Sequence, residues 1–366
     1  MIRPMKLGLS VLLVAFATLA HAQSPDWQKT WDETLAAAKK EGKVVIVGSP
    51  DPVMRREIIP KFTERFGISV EFIAGSSSQL AGRIRTERSS GIYAVDVFMS
   101  GADTTINVLH PQKMIDPLKP LLILPEVTDG AKWKNGKPRF VDKEQKYILQ
   151  LFSSVDTLIF INTDFVKPEE MRAAKDLLNP KWMGKIVTDD PNATGSGSGS
   201  AVHFYTQLGA DFVKKLYVDQ KPVISRDRRQ TTDWLARGVY PICLTCRPDD
   251  VQQLNKEGYK LVGLYRFSDM LNRVKLSPFV LTVANKAPHP NAARVFVNWM
   301  AGNDAVEAYS RDNGVVSLRT DVDESFLNPG AIPQAGVQYP DGTDPDWIAL
   351  GRVEAANKVR ELLKAQ

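Results

Sequence analysis

Apolar residues in this chain fall into short continuous runs, which alternate with stretches that repeat every three or four positions. Residues 27–40 carry the helical repeat, with Leu35 and neighbouring alanines on one face and Gly42 just past the end. Lys43-Val-Val-Ile-Val47 is apolar almost throughout and closes on Gly48-Ser49-Pro50, as expected of a strand buried on both faces. Residues 54–66 return to helical spacing (Ile58, Ile59, Phe62, Phe66) and stop at Gly67. A strand at 68–73, a loop at 74–78, a helix at 79–88 and a strand at 95–99 follow. Strands alternating with helices imply right-handed crossovers and a doubly wound α/β sheet.

The pattern recurs downstream. Strands are predicted at 158–161, 185–188, 239–244 and 280–283. Helices are predicted over most of 168–178, at 201–215 behind a Gly/Ser loop, at 231–237 and at 291–300. Residues 328–346, rich in Pro and Gly, read as ordered coil before a last helix at 347–363. No repeat of solenoid period is present, and the only low-complexity stretch is Ser196-Gly-Ser-Gly-Ser200.

The N-terminus changes the picture. Arg3 and Lys6 lead into the apolar run 7–20, and Ala20-His21-Ala22 follows as an A-x-A cleavage site. Residues 1–22 therefore read as a secretory signal peptide, the alternative being a retained anchor. The run is short for a bilayer span. The mature chain is expected to begin near Gln23 and to work outside the cytoplasm.

The chain has 366 residues, 43% hydrophobic and 24% charged, an ordinary globular composition whose length favours two lobes. The net charge of +5 is modest, Arg3 and Lys6 contribute two of it, and the basic residues are scattered. That distribution gives nucleic-acid binding no footprint. The two cysteines form a single CxxC, Cys243-Leu-Thr-Cys246. Such a pair can be a redox motif, half a metal site or a local disulfide. With no second CxxC, and with only His110, His203 and His289 beyond the signal peptide, zinc is poorly supported. The pair closes a strand-like run instead of opening a helix, which disfavours the thioredoxin type.

The chemistry-bearing stretch is Asp189-Asp-Pro-Asn-Ala-Thr-Gly-Ser-Gly-Ser-Gly-Ser200, between a strand and a helix. Ser198, Gly199 and Ser200 would offer hydroxyls and helix N-terminal amides to an anion, unless the stretch is only a flexible linker. It matches neither the P-loop nor the dinucleotide fingerprint. Gly75-Ser76-Ser77-Ser78 has the same character before the next helix, and such loops sit where open α/β sheets bind ligands. Arg226, Arg229 and Arg247 could pair a carboxylate or phosphate bidentately, or could be solvated surface groups. Ser200 and His203 are the one close Ser/His pair, at helix spacing and without a nucleophile elbow.

Several stretches in order resemble the periplasmic solute-binding proteins of ABC importers, in the branch whose best-known members bind ferric iron. They are GKVVIVGSP (42–50), KFTERFGISVEFIAGSSSQLAGRIRTE (61–87), VDVFMSGA (95–102), FINTDFVKPEE (160–170), DLLNPKWMGKIV (176–187) and SPFVLTVANKAPHPNAARVFVNWM (277–300). The resemblance implies a type II periplasmic-binding-protein-like fold. Two doubly wound α/β lobes, 23–153 with 281–320 and 154–280, would be joined by hinge strands near 153–158 and 277–283, with 321–366 packing back on them. It also implies a periplasmic monomer that captures a solute and delivers it to an inner-membrane ABC permease, with no catalysis and no cofactor.

Departures from the iron-binding pattern bear on the ligand. The resemblance places a ligand His in the first loop, where this chain has Ser49-Pro50-Asp51. It places a Glu after the third strand, here Ser100-Gly101-Ala102, and a Tyr pair where Thr245-Cys246-Arg247 stands. An arginine facing Fe³⁺ is repulsive, so no metal is expected. The expected solute is a small anion, an organic phosphate, phosphonate or carboxylate. Ser49, Asp51, Ser76, Ser77 and Ser78 would hold it from lobe one, and Ser198, Gly199, Ser200, Arg229 and Arg247 from lobe two. Asp51 suits an anion only if the solute also carries an amine. Tyr93, Phe204, Tyr205 and Trp234 could add a stacking wall, or, as such aromatics more often do, pack in the core. Retained metal binding through Asp189, Asp190 or the cysteines, and an enzyme built on Ser200 and His203, are the competing expectations.

Overall fold

The apolar run Lys43–Gly48 forms β1, an interior strand of a seven-stranded mixed sheet, with the order β2-β1-β3-β14-β6-β5 and β4 pairing β14. In this computed structural model the described residues are 26–364, apart from 76, 158, 194, 276, 277, 335, 338, 341–343 and 345. The expected signal peptide lies outside them. β1 runs parallel to β2 (Ser69–Ala74) and β3 (Val97–Ser100). β14 (Val280–Ala284) returns antiparallel beside β3 and carries β4 (Ile115–Asp116) and β6 (Leu149–Gln150); β5 (Arg139–Phe140) pairs β6 at the edge. β1 and β14 are interior strands covered on both faces, which is why their sequences are apolar without alternation.

Both faces of this sheet are covered. Val44 and Ile46 join a core built with α2 (Ile59–Phe66), which follows α1 (Asp26–Glu41), and with α9 (Pro290–Met300). Phe62 is its hub, 5.1 Å from the Phe296 ring and 5.3 Å from Trp299. Val47 turns the other way, toward α3 (Ser77–Ser89) and a second core around Leu80 and Ile84. α4 (Ala102–Thr104) follows β3 and runs into a π-helical turn, Thr105–Leu109; α5 (Pro125–Thr128) precedes β5.

The chain leaves this lobe through β7 (Ser154–Val155), which pairs antiparallel with the returning β13 (Val274–Lys275). Between them lies a five-stranded sheet, β10-β9-β11-β8-β12. Its strands are β8 (Ile159–Asn162), β9 (Ile186–Thr188), β10 (Val223–Ile224), β11 (Ile242–Cys243) and β12 (Leu261–Leu264). Ile159 and Ile161 pack against α6 (Ser196–Lys214) on one face. Phe160 packs toward α7 (Arg228–Ala236) and α8 (Pro248–Lys256) on the other. α10 (Asn303–Asn313) lies on lobe one, and α11 (Arg352–Lys364) packs along α6 through Ala355, Ala356 and Val359. Among the described residues no helix is long and apolar enough to cross a membrane.

Three local expectations are corrected. Residues 168–178 hold only two 3₁₀ turns, Pro168–Glu170 and Ala174–Leu178, because Pro168 starts a turn and Met171 leaves helical geometry (φ −129°, ψ 51°). The Gly/Ser stretch is not a loop up to Ala201: α6 already begins at Ser196. The returning interlobe strand is Val274–Lys275, earlier than 277–283.

Candidate ligand-binding site

The loop after β1 and the loop after β11 face each other across a cleft of about 450 Å³ between the lobes. Ser49 and Asp51 line it from lobe one, Arg247 and Asp249 from lobe two, and Ser154 and Val155 from the first hinge strand, with Thr157 just after it. Phe72, Tyr265, Phe279 and Tyr309 supply aromatic faces. A larger depression, about 670 Å³, lies on the outer surface of lobe one between α2 and α10. Its charges are paired with one another, as in Arg65–Asp304 and Arg311–Glu307, so the interlobe cleft is the stronger candidate.

Asp51 is positioned by the helix it starts. Its Oδ1 accepts from the amides of Val53 (2.8 Å) and Met54 (3.1 Å), a helix cap. Its Oδ2 accepts from the Tyr309 hydroxyl. The Tyr309 ring is wedged between Phe152 (5.0 Å) and Phe279 (5.2 Å), so the phenol is held on the carboxylate. Burial first, and then the adjacent Asp51 charge, push the Tyr309 phenol well above its ordinary pKa. Burial raises Tyr265 as well.

Arg247 stands at the N-terminus of α8 and is not free: it donates to both oxygens of Asp249 and lies 3.8 Å from Asp250. Burial works against its charge, but Asp249, Asp250 and Asp51 together raise its pKa above the ordinary value. Its loop is anchored. Cys243 and Cys246 form a disulfide, both sulfurs are buried, and between them Thr245 accepts a hydrogen bond from the Asp189 amide (2.7 Å). The CxxC is therefore a clamp on the loop that ends in Arg247.

The other expected residues are placed elsewhere. Ser198, Gly199 and Ser200 occupy the first turns of α6 and are not among the residues lining the cleft. The chain already provides the anion for that helix end: Asp189 Oδ2 accepts from the Ser196 hydroxyl (2.6 Å) and the Gly197 amide (3.4 Å). Gly197 is needed for packing, since a Cβ there would sit 2.3 Å from the Asp190 carbonyl oxygen. Arg229 is exposed on α7. Arg226 pairs with Asp190 (2.6 and 3.1 Å). Ser76 lies outside the described residues, and Ser77 and Ser78 open α3.

Of the two readings of Tyr93, Phe204, Tyr205 and Trp234, the stacking wall fails: none of them lines the cleft. Phe204 is core, 5.4 Å from Phe212; Trp234 packs on Tyr240, and Tyr93 lies under Arg88 and Lys286. The aromatics that do line it are Phe72 on β2, Tyr265 just after β12, Phe279 just before β14 and Tyr309 within α10, where core spacing hides them in the sequence. His203 is buried with no partner for Nε2 among the described residues, and the Ser200 side chain sits beside Tyr217.

The model of the bacterial extracellular solute-binding proteins matches residues 43–314, from the first strand of lobe one to the end of α10. The chain belongs to that family. Its members are the substrate-binding components of ABC importers, binding proteins and not enzymes. This solute-binding protein is also similar to the iron uptake protein A1 of Synechocystis sp., 24% identical over 131 residues, which is 36% of this chain and 33% of that protein. AfuA of Actinobacillus pleuropneumoniae, solved with fructose-6-phosphate bound, superimposes with a TM-score of 0.68 at 17% identity, covering 89% of this chain and all of that one. The Trichodesmium protein IdiA (FutA), solved with iron and citrate, gives 0.65 at 18% identity over 88% of this chain and 99% of that one. At such identities the likeness to the solved structures establishes the two-lobe fold, and their ligands are their own.

Proposed function

We propose that this protein captures a small organic anion: an organic phosphate, a phosphonate or a carboxylate. Its other end would present hydroxyl or amine donors. From the periplasm the protein would deliver this solute to an ABC permease in the inner membrane. The observation that carries this reading is the opposition of Arg247 on lobe two to Asp51 on lobe one across an aromatic-walled cleft. A guanidinium takes the acidic group, and a carboxylate takes donors at the far end. Phe279 and Tyr309 suit the apolar faces of the solute body.

Ferric iron is the main rival, and the site chemistry speaks against it. A phenol must lose its proton to bind Fe³⁺ well, whereas Tyr309 is buried, keeps its proton and donates a hydrogen bond through it to Asp51. Among the described residues no group of three His, Cys, Asp or Glu side chains could hold a metal. The enzyme reading fares no better: burial pushes His203 down to about 3, too weak a base to activate Ser200.

The test is a thermal-shift screen of refolded, ligand-stripped protein against Fe³⁺ and a panel of organic phosphates, phosphonates and carboxylates. A ligand at a hundred times its Kd stabilises by about 2.7 kcal/mol. A rise with one organic anion, weakened about thirtyfold by Arg247→Ala (~2 kcal/mol), supports the reading. A rise with Fe³⁺ alone overturns it.

A further inference from the structure

Besides the hinge strands β7 and β13, a third connection joins the lobes. α11 is seated on α6 in lobe two. The turn just before it, Trp347–Gly351, packs on the π-helical turn Thr105–Leu109 of lobe one. At the junction Arg352 reaches both sides. Its guanidinium pairs with Asp103 on lobe one, and a Cβ added to Gly199 of α6 would lie 3.6 Å from its Nη2. Asp346 at the start of the same turn pairs with Lys143 of lobe one at 2.6 Å. None of the residues 346–352 lines the cleft.

We propose that the C-terminal segment is an interlobe latch in which Arg352, held on lobe two by α11, closes on Asp103 of lobe one and sets the balance between open and closed lobes. The argument is mechanical. α11 is fixed to α6 by buried alanines and Val359, so the turn before it moves with lobe two. Opening must therefore break Arg352–Asp103, break Asp346–Lys143 and part the two turns. Arg352 and Asp103 are partly solvated, with side-chain exposures of 30% and 41%. Such a pair biases a two-state equilibrium without locking it. Because the latch lies off the cleft lining, its effect on affinity comes through lobe geometry and applies to any solute. The inference goes beyond the proposed solute class and stands whether or not that class is right.

The experiment measures the interlobe distance in the ligand-free mature chain. Spin labels are attached at Lys137→Cys on lobe one and Lys256→Cys on lobe two, both exposed positions, with the buried disulfide left intact. Arg352→Gln and Asp103→Asn are each expected to raise the open-to-closed ratio roughly two- to fivefold, the range for a partly exposed ion pair. Asp103→Asn is the decisive variant, since it leaves α11 and its seat on α6 untouched. Distance distributions unchanged in both variants overturn the latch. So does a shift in Arg352→Gln alone, which would mean that α11 had come off α6.

Discussion

Acidification from pH 7.5 to 5 should destabilise this protein at His203. The imidazole is buried on α6, its Nε2 has no partner among the described residues, and Arg273 lies within electrostatic reach. Burial, and then the Arg273 charge, lower its pKa from 6.5 to about 3, with Asp156 and the Leu271 backbone opposing. The unfolded chain therefore binds a proton between pH 6.5 and 3 that the folded chain refuses, so this stabilisation is full above pH 6.5 and is lost as pH falls toward 3. With those two values the linkage relation gives a loss of about 2 kcal/mol between pH 7.5 and 5. The assay is urea unfolding of the parent and of His203→Gln, which cannot take up the proton, at both pH values. The parent should lose about 2 kcal/mol more than the variant. The His203 ring resonance should also stay at its neutral position down to pH 4.5. Equal losses in the two proteins, or a ring that titrates near 6.5, would refute the reasoning.

Two further outcomes follow from buried groups. Removing the Cys243–Cys246 clamp by a double Cys→Ala replacement should cost about 2 kcal/mol, the chain-entropy value for so short a loop, read by urea unfolding; unchanged stability would show that the clamp adds nothing. Asp96 is fully buried and accepts from the amides of Val45 and His289 at 2.7 Å each and from His289 Nδ1 at 2.8 Å. Asp96→Ala strands those groups and should destabilise lobe one by about 3–5 kcal/mol; a measured cost under ~1 kcal/mol would contradict that role.

How far the sequence carries differs between fold and site. β1, β2, β3, α2 and α9 are legible because each is a long apolar run or a strongly periodic one, and burial on both faces leaves no other reading of Val44 to Val47. Short strands such as β5, β6 and β13 span two residues each, too few for a period, and only pairing partners distant in the chain define them. The Gly/Ser stretch misleads for a definite reason. Glycine and serine announce a helix N-terminus open to an anion, yet the anion present is Asp189, seven residues before Ser196, and composition cannot show that its carboxylate turns back. Ser49, Asp51 and Arg247 are reached from the sequence because they follow strands that end at the cleft. Tyr309 is not, since its spacing on α10 is that of a core residue and only its hydroxyl departs from the core.

The charge arrangement between the lobes narrows what a solute must do. Arg247 pairs with Asp249, Arg273 with Asp156 (2.9 Å) and Arg352 with Asp103. Each guanidinium thus already holds a carboxylate of the same chain, at an effective concentration far above that of any free anion. A bare inorganic anion offers little beyond what the internal partner supplies, and Asp51 and Asp249 repel it at short range. An organic solute changes the balance. In the proposed mode its acidic group would compete for Arg247, while its donors would satisfy Asp51, or the Asp249 oxygens released by that competition, and its body would cover Phe279 and Tyr309. On the proposed reading the internal carboxylates act as a filter: they would reject charge alone and admit a molecule that brings an acid and donors together, which is how a site with no net positive charge would select an anion.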